Sequence, residues 1–330
     1  MAVLVLAGEV GLRVVHFQRR GNHPVAILSA IDYLKFLVMK REIVKKRPEL
    51  KDLLTVEGEL LRKELEKNYS QAMGELVAAV ENAKARLLIL YIPADRWEGR
   101  DWALMRDYVR ELTTRHQLDF VDMVPVFKKY PSEYVKMLPK DIHLSRFGHK
   151  LVAGELVQAL EKYQGYQAGT NYEGEPVLLG DIKPSLNVVW GYELTRMPYE
   201  VVTNRHGFRK ECDLDIPKKR QRILILGDSI TFGSYLAGHD TYPEILEGWC
   251  PETEVINAGV WGYTITDELS LFKSRAKQAA PDIVVLQIFD NDLVDLLSHQ
   301  RNVFAREGRG EFTPSLTESI FMKYWEGLRE

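Results

Sequence analysis

Apolar positions in the second half of the chain form short continuous runs that alternate with helical patterns. The runs are "RILILG" (222–227), "EVINAG" (254–259) and "DIVVLQIF" (282–289). Runs of this length predict strands buried on both faces of a sheet. The segments between them, "YPEILEGW" and "TDELSLFKSRAKQ", have the apolar spacing of helices. The alternation predicts an α/β domain with a parallel sheet.

The first half of the chain predicts two more strands. These are "RLLILYIP" (86–93) and "DFVDMVPV" (119–126), with a helix near 101–115 between them. Helical spacing also predicts one helix between Pro24 and Pro48 and another from about Val56 to Ala83. Residues 164–220 have no sustained period and are rich in Gly, Pro and Asn, which predicts a loop-and-hairpin connector.

The N-terminal segment "MAVLVLAGEVGLRVVHFQRR" has too few consecutive apolar residues to cross a bilayer. We interpret it as an amphipathic helix packed on the body, and a trimmed membrane anchor is the alternative. The domain is expected to be soluble, in the cytoplasm or, with such an anchor, outside it. Membrane association has no other support in the sequence.

Composition describes a globular protein and argues against one class of partner. The 330 residues are 45% hydrophobic and 28% charged, which suits a domain with a substantial core. A net charge of -3 argues against nucleic-acid binding. The basic cluster of Lys218, Lys219, Arg220 and Arg222 is expected to be a solvated approach to a strand. The two cysteines, Cys212 and Cys250, are too few for a disulfide framework, and a bridge between them stays open.

The turn "GDSITFG" carries the first candidate for chemistry. Ser229 lies where a buried strand ends and a helix begins, so backbone N–H groups face any oxyanion formed nearby. The structural alternative is that Asp228 and Ser229 only cap the helix. Two later strand ends carry Gly262, in "NAGVWG", and Asn291 with Asp292, in "FDND". Parallel strands share one carboxyl edge, so these groups are expected to converge there, although a turn and a helix cap explain them separately.

These motifs resemble the sequence blocks of the SGNH (GDSL) hydrolase superfamily, and "DIHLSRFGHKLVAGEL" resembles the block with the family's catalytic histidine. The resemblance implies Ser229 as nucleophile, His143 as general base and Asp141 as the acid that orients it. It also implies the Ser229 N–H, Gly262 and Asn291 as oxyanion donors. It implies neither a metal nor an organic cofactor.

The chain departs from the family pattern at two positions. Phe289 replaces the glycine that commonly begins the third block, and Lys140 stands three residues before the histidine, where the acid often lies. Asp141 lies two residues before it, so its role rests on a rarer spacing. His149 is a rival base, but it falls in the start of a helix and is expected to be structural.

The order of the blocks also departs from the family, because His143 precedes Ser229. The three strands of the second half and the two of the first together make the five-stranded parallel sheet of the family's three-layer α/β/α, flavodoxin-like fold. We therefore predict one circularly permuted domain over 1–330. Residues 1–163 would form the C-terminal half of the fold, 164–220 the connector and 221–330 the N-terminal half.

The resemblance implies a serine hydrolase that cleaves carboxylic esters through an acyl-enzyme. We expect the site to close within a monomer, because the long 164–220 connector gives the two halves of one chain a high effective concentration. The substrate would be a small-molecule, carbohydrate or lipid ester, and carbohydrate O-deacetylation is included. One alternative is a carbohydrate O-acyltransferase with the same triad, and another is a non-catalytic scaffold that keeps the fold. Trp261 and Tyr263 beside Gly262 either line a sugar- or acyl-binding face or pack in the core.

Overall fold

The computed structural model describes residues 59–94, 100–137, 142–172, 178–192, 197–290 and 292. The chain divides into two compact units, Met1–Glu64 and Leu65–Glu330, and apart from residues 59–64 the features below belong to the second. The predicted N-terminal helices before residue 56 lie outside the described residues. The single-domain interpretation with its two halves stays a prediction.

Five strands of the described chain form a parallel sheet, and two form an antiparallel hairpin. The strands are β1 (Arg86–Ile92), β2 (Asp119–Asp122), β3 (Asn187–Tyr192), β4 (Met197–Val202), β5 (Gln221–Leu226), β6 (Thr253–Asn257) and β7 (Ile283–Phe289). The sheet order is β2-β1-β7-β5-β6, and β3 pairs with β4 as the hairpin expected within 164–220.

Helices cover both faces of the sheet. They are α1 (Glu59–Asn82), α2 (Arg100–Arg115), α3 (Val124–Phe127), α4 (Ser132–Val135), α5 (Arg146–Leu160), α6 (Ser229–Phe232), α7 (Tyr242–Trp249) and α8 (Ile265–Ser274). Side chains of α5 and α7, such as Val152 and Leu246, pack in one core cluster with Leu88 and Ile223 of the strands. Strand residues that point the other way, including Leu224, are buried as well, and α2 contacts β1 and β2. The predicted α/β architecture, with helices flanking a five-stranded parallel sheet, is confirmed.

The order of the sheet has a simple form when its strands are counted from β5. With β5 as first, then β6, β7, β1 and β2, the order across the sheet is 2-1-3-4-5. This is the order of flavodoxin-like sheets. The two strands that carry Ser229 and the "FDND" segment, β5 and β7, are then neighbours at the centre.

The second strand is shorter than the sequence predicts. It ends at Asp122, and the rest of the predicted run forms α3. The Asp122 side chain accepts a hydrogen bond from the Val124 N–H at 3.0 Å, and Pro125 occupies the first turn. Proline has no N–H for a ladder and suits the first turn of a helix, so it ends the strand here.

The expectation of a solvated basic cluster is wrong for two of its members. The Arg222 side chain is fully buried and pairs with Glu254, with 2.6 Å between Nη2 and Oε2. Lys218 Nζ lies 2.9 Å from Oδ1 of the buried Asp282. These contacts hold together the amino edge of the sheet, opposite the serine turn.

Cys212 and Cys250 are both free thiols. Among the described residues, no helix is both long enough and apolar enough to cross a bilayer.

Candidate functional site

The serine turn begins directly after the carboxyl end of β5. The Asp228 side chain caps α6 by accepting the Ile230 N–H at 2.8 Å, so the capping expected of Asp228 is present. Gly227 has no room for a side chain, since a Cβ there would lie 2.2 Å from Thr231 Oγ1 and 2.5 Å from Gln287 Oε1. The cap and the tight turn together fix Ser229 at the first position of α6, where it is half-buried.

His143 reaches this serine from the loop before α5. A short antiparallel bridge between Lys136 and Leu144 holds the loop, and the Met137 N–H donates to the His143 carbonyl oxygen at 2.9 Å. Nε2 of His143 lies 2.8 Å from Oγ of Ser229. The imidazole ring also meets the Tyr235 ring edge to face, with 5.3 Å between centroids. Two residues that lie 86 positions apart in the chain are thus in hydrogen-bond contact.

The other predicted base, His149, is engaged elsewhere. It is 1% exposed on α5, its Nδ1 accepts the Tyr242 N–H at 3.0 Å, and its ring stacks on the Tyr242 ring. Burial, with the nearby charges of Arg209 and Lys136, lowers the pKa of His149 to about 3. It stays neutral near pH 7, so a rate that rises between about pH 5 and 8 would report a different group. These contacts support the structural interpretation of His149.

The loop that carries Gly262 lies against the serine turn. The Val260 N–H donates to the Gly227 carbonyl oxygen at 3.0 Å, and Gly262 has a left-handed backbone with φ +69°. Trp261 packs edge to face on Phe232 of α6, and the Tyr263 hydroxyl donates to the Asp181 carboxylate. The structure therefore favours packing roles for Trp261 and Tyr263 over a ligand-binding face.

Two predicted site residues, Asp141 and Asn291, lie outside the described residues, and their roles stay predictions. Both neighbours of Asn291 in the sequence make hydrogen bonds through their side chains. Asp290 accepts one from the Ala94 N–H at 2.6 Å, and Asp292 accepts one from the Tyr69 hydroxyl at 3.4 Å. Phe289, which stands in place of the glycine of the third block, is 2% exposed in the core, with its ring 5.0 Å from Lys136 Nζ.

A second buried carboxyl lies close to the serine turn. Glu268 of α8 is 1% exposed, and its Oε2 has no hydrogen-bond partner among the described residues. Burial, together with the charges of Asp228 and Asp267, raises the pKa of Glu268 well above its ordinary value. Burial also raises the pKa of Asp228, against the hydrogen bond from the Ile230 N–H and the charge of His143.

The raised pKa of Glu268 predicts that this carboxyl lowers stability at neutral pH. The folded protein keeps the proton to a higher pH than the unfolded chain, whose glutamates titrate near ~4.3. The unfolded state is therefore favoured increasingly as the pH rises above that value. We expect Glu268→Gln to raise the free energy of unfolding by about 1 kcal/mol near pH 8, because a neutral amide needs no proton there, whereas the buried carboxyl must take one up or carry an uncompensated charge. Urea denaturation across pH measures this.

The matched control is another buried glutamate that has a cationic partner. Glu254 is 1% exposed and pairs with Arg222. Glu254→Gln is expected to lower stability, because it leaves a buried guanidinium without its counter-charge. A gain for Glu268→Gln that does not shrink as the pH falls toward about 4 would contradict the electrostatic explanation.

Sequence reasoning missed two residues that contact the serine turn, Arg209 and Tyr235. Arg209 lies in "HGFRK", in the connector segment without a period, and its contacts are mostly to backbone carbonyls. Tyr235 has a left-handed backbone, with φ +68°, which no residue-type pattern indicates.

A groove of about 510 Å³ opens beside the His143 loop. It is lined by Glu133, Tyr134, Met137, Ser145, Arg146, Phe147 and Leu236.

Comparison with known proteins gives distant structural similarities only. No protein-family profile and no curated protein matches the chain. The chain is similar to the O-acetyltransferase domain of Pseudomonas putida AlgJ, with 15% identity and a TM-score of 0.46, over 70% of this chain and 84% of that one. It is also similar to Pseudomonas aeruginosa AlgX, with 14% identity and a TM-score of 0.38, over 71% of this chain and 59% of that one.

Proposed function

We propose that this protein catalyses acyl transfer from carboxylic esters, with Ser229 as nucleophile and His143 as general base. The observation that carries the proposal is the 2.8 Å contact between Nε2 of His143 and Oγ of Ser229. A serine hydroxyl is a weak nucleophile until a base within hydrogen-bond reach removes its proton. The contact lies at the carboxyl edge of the sheet, where α/β proteins bind ligands.

The proposed reaction has two steps through one covalent intermediate. Oγ of Ser229 attacks the ester carbonyl carbon while Nε2 of His143 takes the hydroxyl proton. The tetrahedral intermediate expels the alcohol, which takes that proton from His143, and an acyl-serine remains. Water then gives a proton to His143 as it attacks the acyl carbon, and His143 returns that proton to Ser229 Oγ as the carboxylic acid is released. The net change is ester and water to acid and alcohol.

The remaining roles are proposed for groups near this pair. The Ser229 N–H, the Gly262 N–H and the Asn291 amide would donate to the oxyanion, and Asp141 would orient His143. The hydrogen bond between the Val260 N–H and the Gly227 carbonyl oxygen supports the role of Gly262, because it fixes that loop beside the serine turn. Each oxyanion donor is expected to contribute about 2.7–4 kcal/mol to lowering the barrier.

The proposal includes a circularly permuted order of the fold. Its support is the strand order, which reads 2-1-3-4-5 only when the count begins at β5 and passes from β7 to β1. The histidine loop then follows the last strand and the serine turn follows the first. An experimental structure in which β1 did not pair with β7 would contradict this interpretation.

The experiment measures which acceptor takes the acyl group. Turnover of p-nitrophenyl acetate is measured with and without an added sugar, and the acetate and the acetylated sugar that form are quantified. In a parallel reaction, the fraction of Ser229 that a fluorophosphonate probe labels is measured. Water as acceptor predicts stoichiometric acetate, whereas acetylated sugar at the expense of acetate would indicate the O-acyltransferase alternative. An enzyme in which a fluorophosphonate probe does not label Ser229 would contradict both and favour the scaffold.

A further inference from the structure

The guanidinium of Arg209 is buried beneath the turn that follows Ser229. The residue is 2% exposed, and its guanidinium lies 4.4 Å from the centroid of the Phe232 ring. Burial lowers the pKa of Arg209 to about 10, so it stays charged at neutral pH. The residue belongs to the segment between the hairpin and β5, which the sequence indicated only as a connector.

This side chain donates to backbone carbonyl oxygens on both sides of the turn. Nη1 donates to the Phe232 and Gly233 carbonyl oxygens, the latter at 2.7 Å. Nη2 donates to the Leu236 carbonyl oxygen and to that of Glu200, at 3.3 Å, on β4. The planar guanidinium therefore joins three parts of the chain, which are the end of α6, Leu236 in the turn that follows it, and the β3–β4 hairpin.

The clamped turn contacts both proposed catalytic residues. The Gly233 N–H and the Ser234 hydroxyl donate to the Ser229 carbonyl oxygen, at 3.0 and 3.2 Å. Tyr235, between the two clamped carbonyls of Gly233 and Leu236, meets the His143 ring. A shift of this turn would therefore move the serine and the surface against which the imidazole packs.

We propose that Arg209 is a positioning residue that holds the Phe232–Leu236 turn so that Ser229 Oγ stays within reach of His143 Nε2. The proposal rests on the proposed function, since its readout is the reactivity of Ser229. Arg209 is expected to act on the chemical step and not on substrate binding, because its side chain is buried below the turn. A displacement of about 1 Å at a reacting atom costs on the order of a hundredfold in rate.

Lysine cannot replace this clamp, although it keeps the charge. Its donors radiate from a single nitrogen, whereas the fork of arginine presents donors on two separate nitrogens in one plane. Carbonyls on opposite sides of the turn need that separation. Arg209→Lys thus separates the geometry of the fork from the positive charge.

The matched control is a second buried arginine among the described residues, Arg222. Its side chain is also enclosed, pairs with Glu254 and donates to the Asp215 carbonyl oxygen at 2.8 Å. It lies near the start of β5, whereas Ser229 follows the end of that strand. Arg222→Lys is expected to destabilise the fold without moving the serine turn.

The test compares the two lysine variants with the wild type, at a temperature where thermal unfolding shows each to be folded. The rate of fluorophosphonate labelling of Ser229 is measured together with kcat and KM for p-nitrophenyl acetate. We expect Arg209→Lys to lower the labelling rate and kcat/KM by about 10- to 100-fold, because both report the attack of Ser229 Oγ. Arg222→Lys is expected to keep both close to the wild-type values.

The other outcomes distinguish failure of the positioning role from failure of the proposed function. Labelling rates, or values of kcat/KM, that are equal in the two lysine variants would overturn the positioning role. A wild-type protein that is not labelled contradicts the proposed function before Arg209 is tested. If Arg209→Lys does not fold, Arg209→Ala is assayed with added guanidinium or methylammonium. Recovery with guanidinium alone supports the fork, and an equal response to the two ions, or none, contradicts it.

Discussion

Ser229→Ala is expected to abolish esterase activity almost completely, by about a thousandfold or more, while the protein keeps its fold. The hydroxyl that is lost is the atom 2.8 Å from Nε2 of His143. His143→Ala is expected to cost about as much, because each residue is ineffective without the other. The double variant should then be hardly worse than either single one, as is found for residues that act as a unit. Initial rates with p-nitrophenyl acetate measure all three.

A serine close to the nucleophile supplies the control. Ser234 is buried, and its hydroxyl donates to the Ser229 carbonyl oxygen at 3.2 Å. Ser234→Ala is expected to lose about 1 kcal/mol of stability and to keep most of its activity. An active His143→Ala protein would refute the proposed base and return attention to His149, despite its contact with the Tyr242 N–H.

The sequence allowed the sheet to be predicted because its strands are unambiguous. Strands buried on both faces, such as β1 and β7, appear as continuous apolar runs, and each ends at a turn residue or a proline. β2 was overextended because apolar residues continue past Asp122 in "DFVDMVPV", and only Pro125 and the Asp122 side chain distinguish strand from helix there. Local hydrogen bonding decided that boundary, and periodicity does not record it.

The pairing of His143 with Ser229 needed more than periodicity. Periodicity places Ser229 at a strand end, but it cannot say that a histidine 86 residues away meets it. Only the resemblance to a known family suggested that contact. Asp141 and Asn291 were predicted on the same basis and remain predictions.

Arg209, Arg222 and Glu268 show why the remaining features could not be predicted. Charged residues are expected at the surface, yet all three are at most 2% exposed. The partners of Arg209 are carbonyl oxygens, which every residue type carries. The partner of Arg222 is a glutamate 32 positions away, and Glu268 lies among the buried residues of α8. Such contacts depend on tertiary structure, and no local pattern encodes them.

Gly259→Ala is expected to disrupt the serine turn from the other side. A Cβ on Gly259 would lie 2.4 Å from the Phe232 backbone nitrogen and 2.7 Å from Thr231 Cβ. The first of these is main chain within α6, which cannot rotate away as a side-chain end could, so either the loop after β6 or α6 must move. We expect a loss of about 1–3 kcal/mol in the free energy of unfolding. Since α6 begins with Ser229, activity should also fall, by about a hundredfold.

Gly238→Ala is the matched control, because a Cβ at Gly238 would meet no atom within 4 Å. That variant is expected to stay within about 0.5 kcal/mol of the wild type. Urea denaturation gives the stability of both variants, and fluorophosphonate labelling of the folded protein gives the reactivity of Ser229. A Gly259→Ala protein that is destabilised but labelled at the wild-type rate would mean that the loop after β6 can yield while α6 stays in place. Loss of labelling in a protein that is still folded would instead mean that this loop and Arg209 hold the serine turn from two sides, so that the reactivity of Ser229 depends on both.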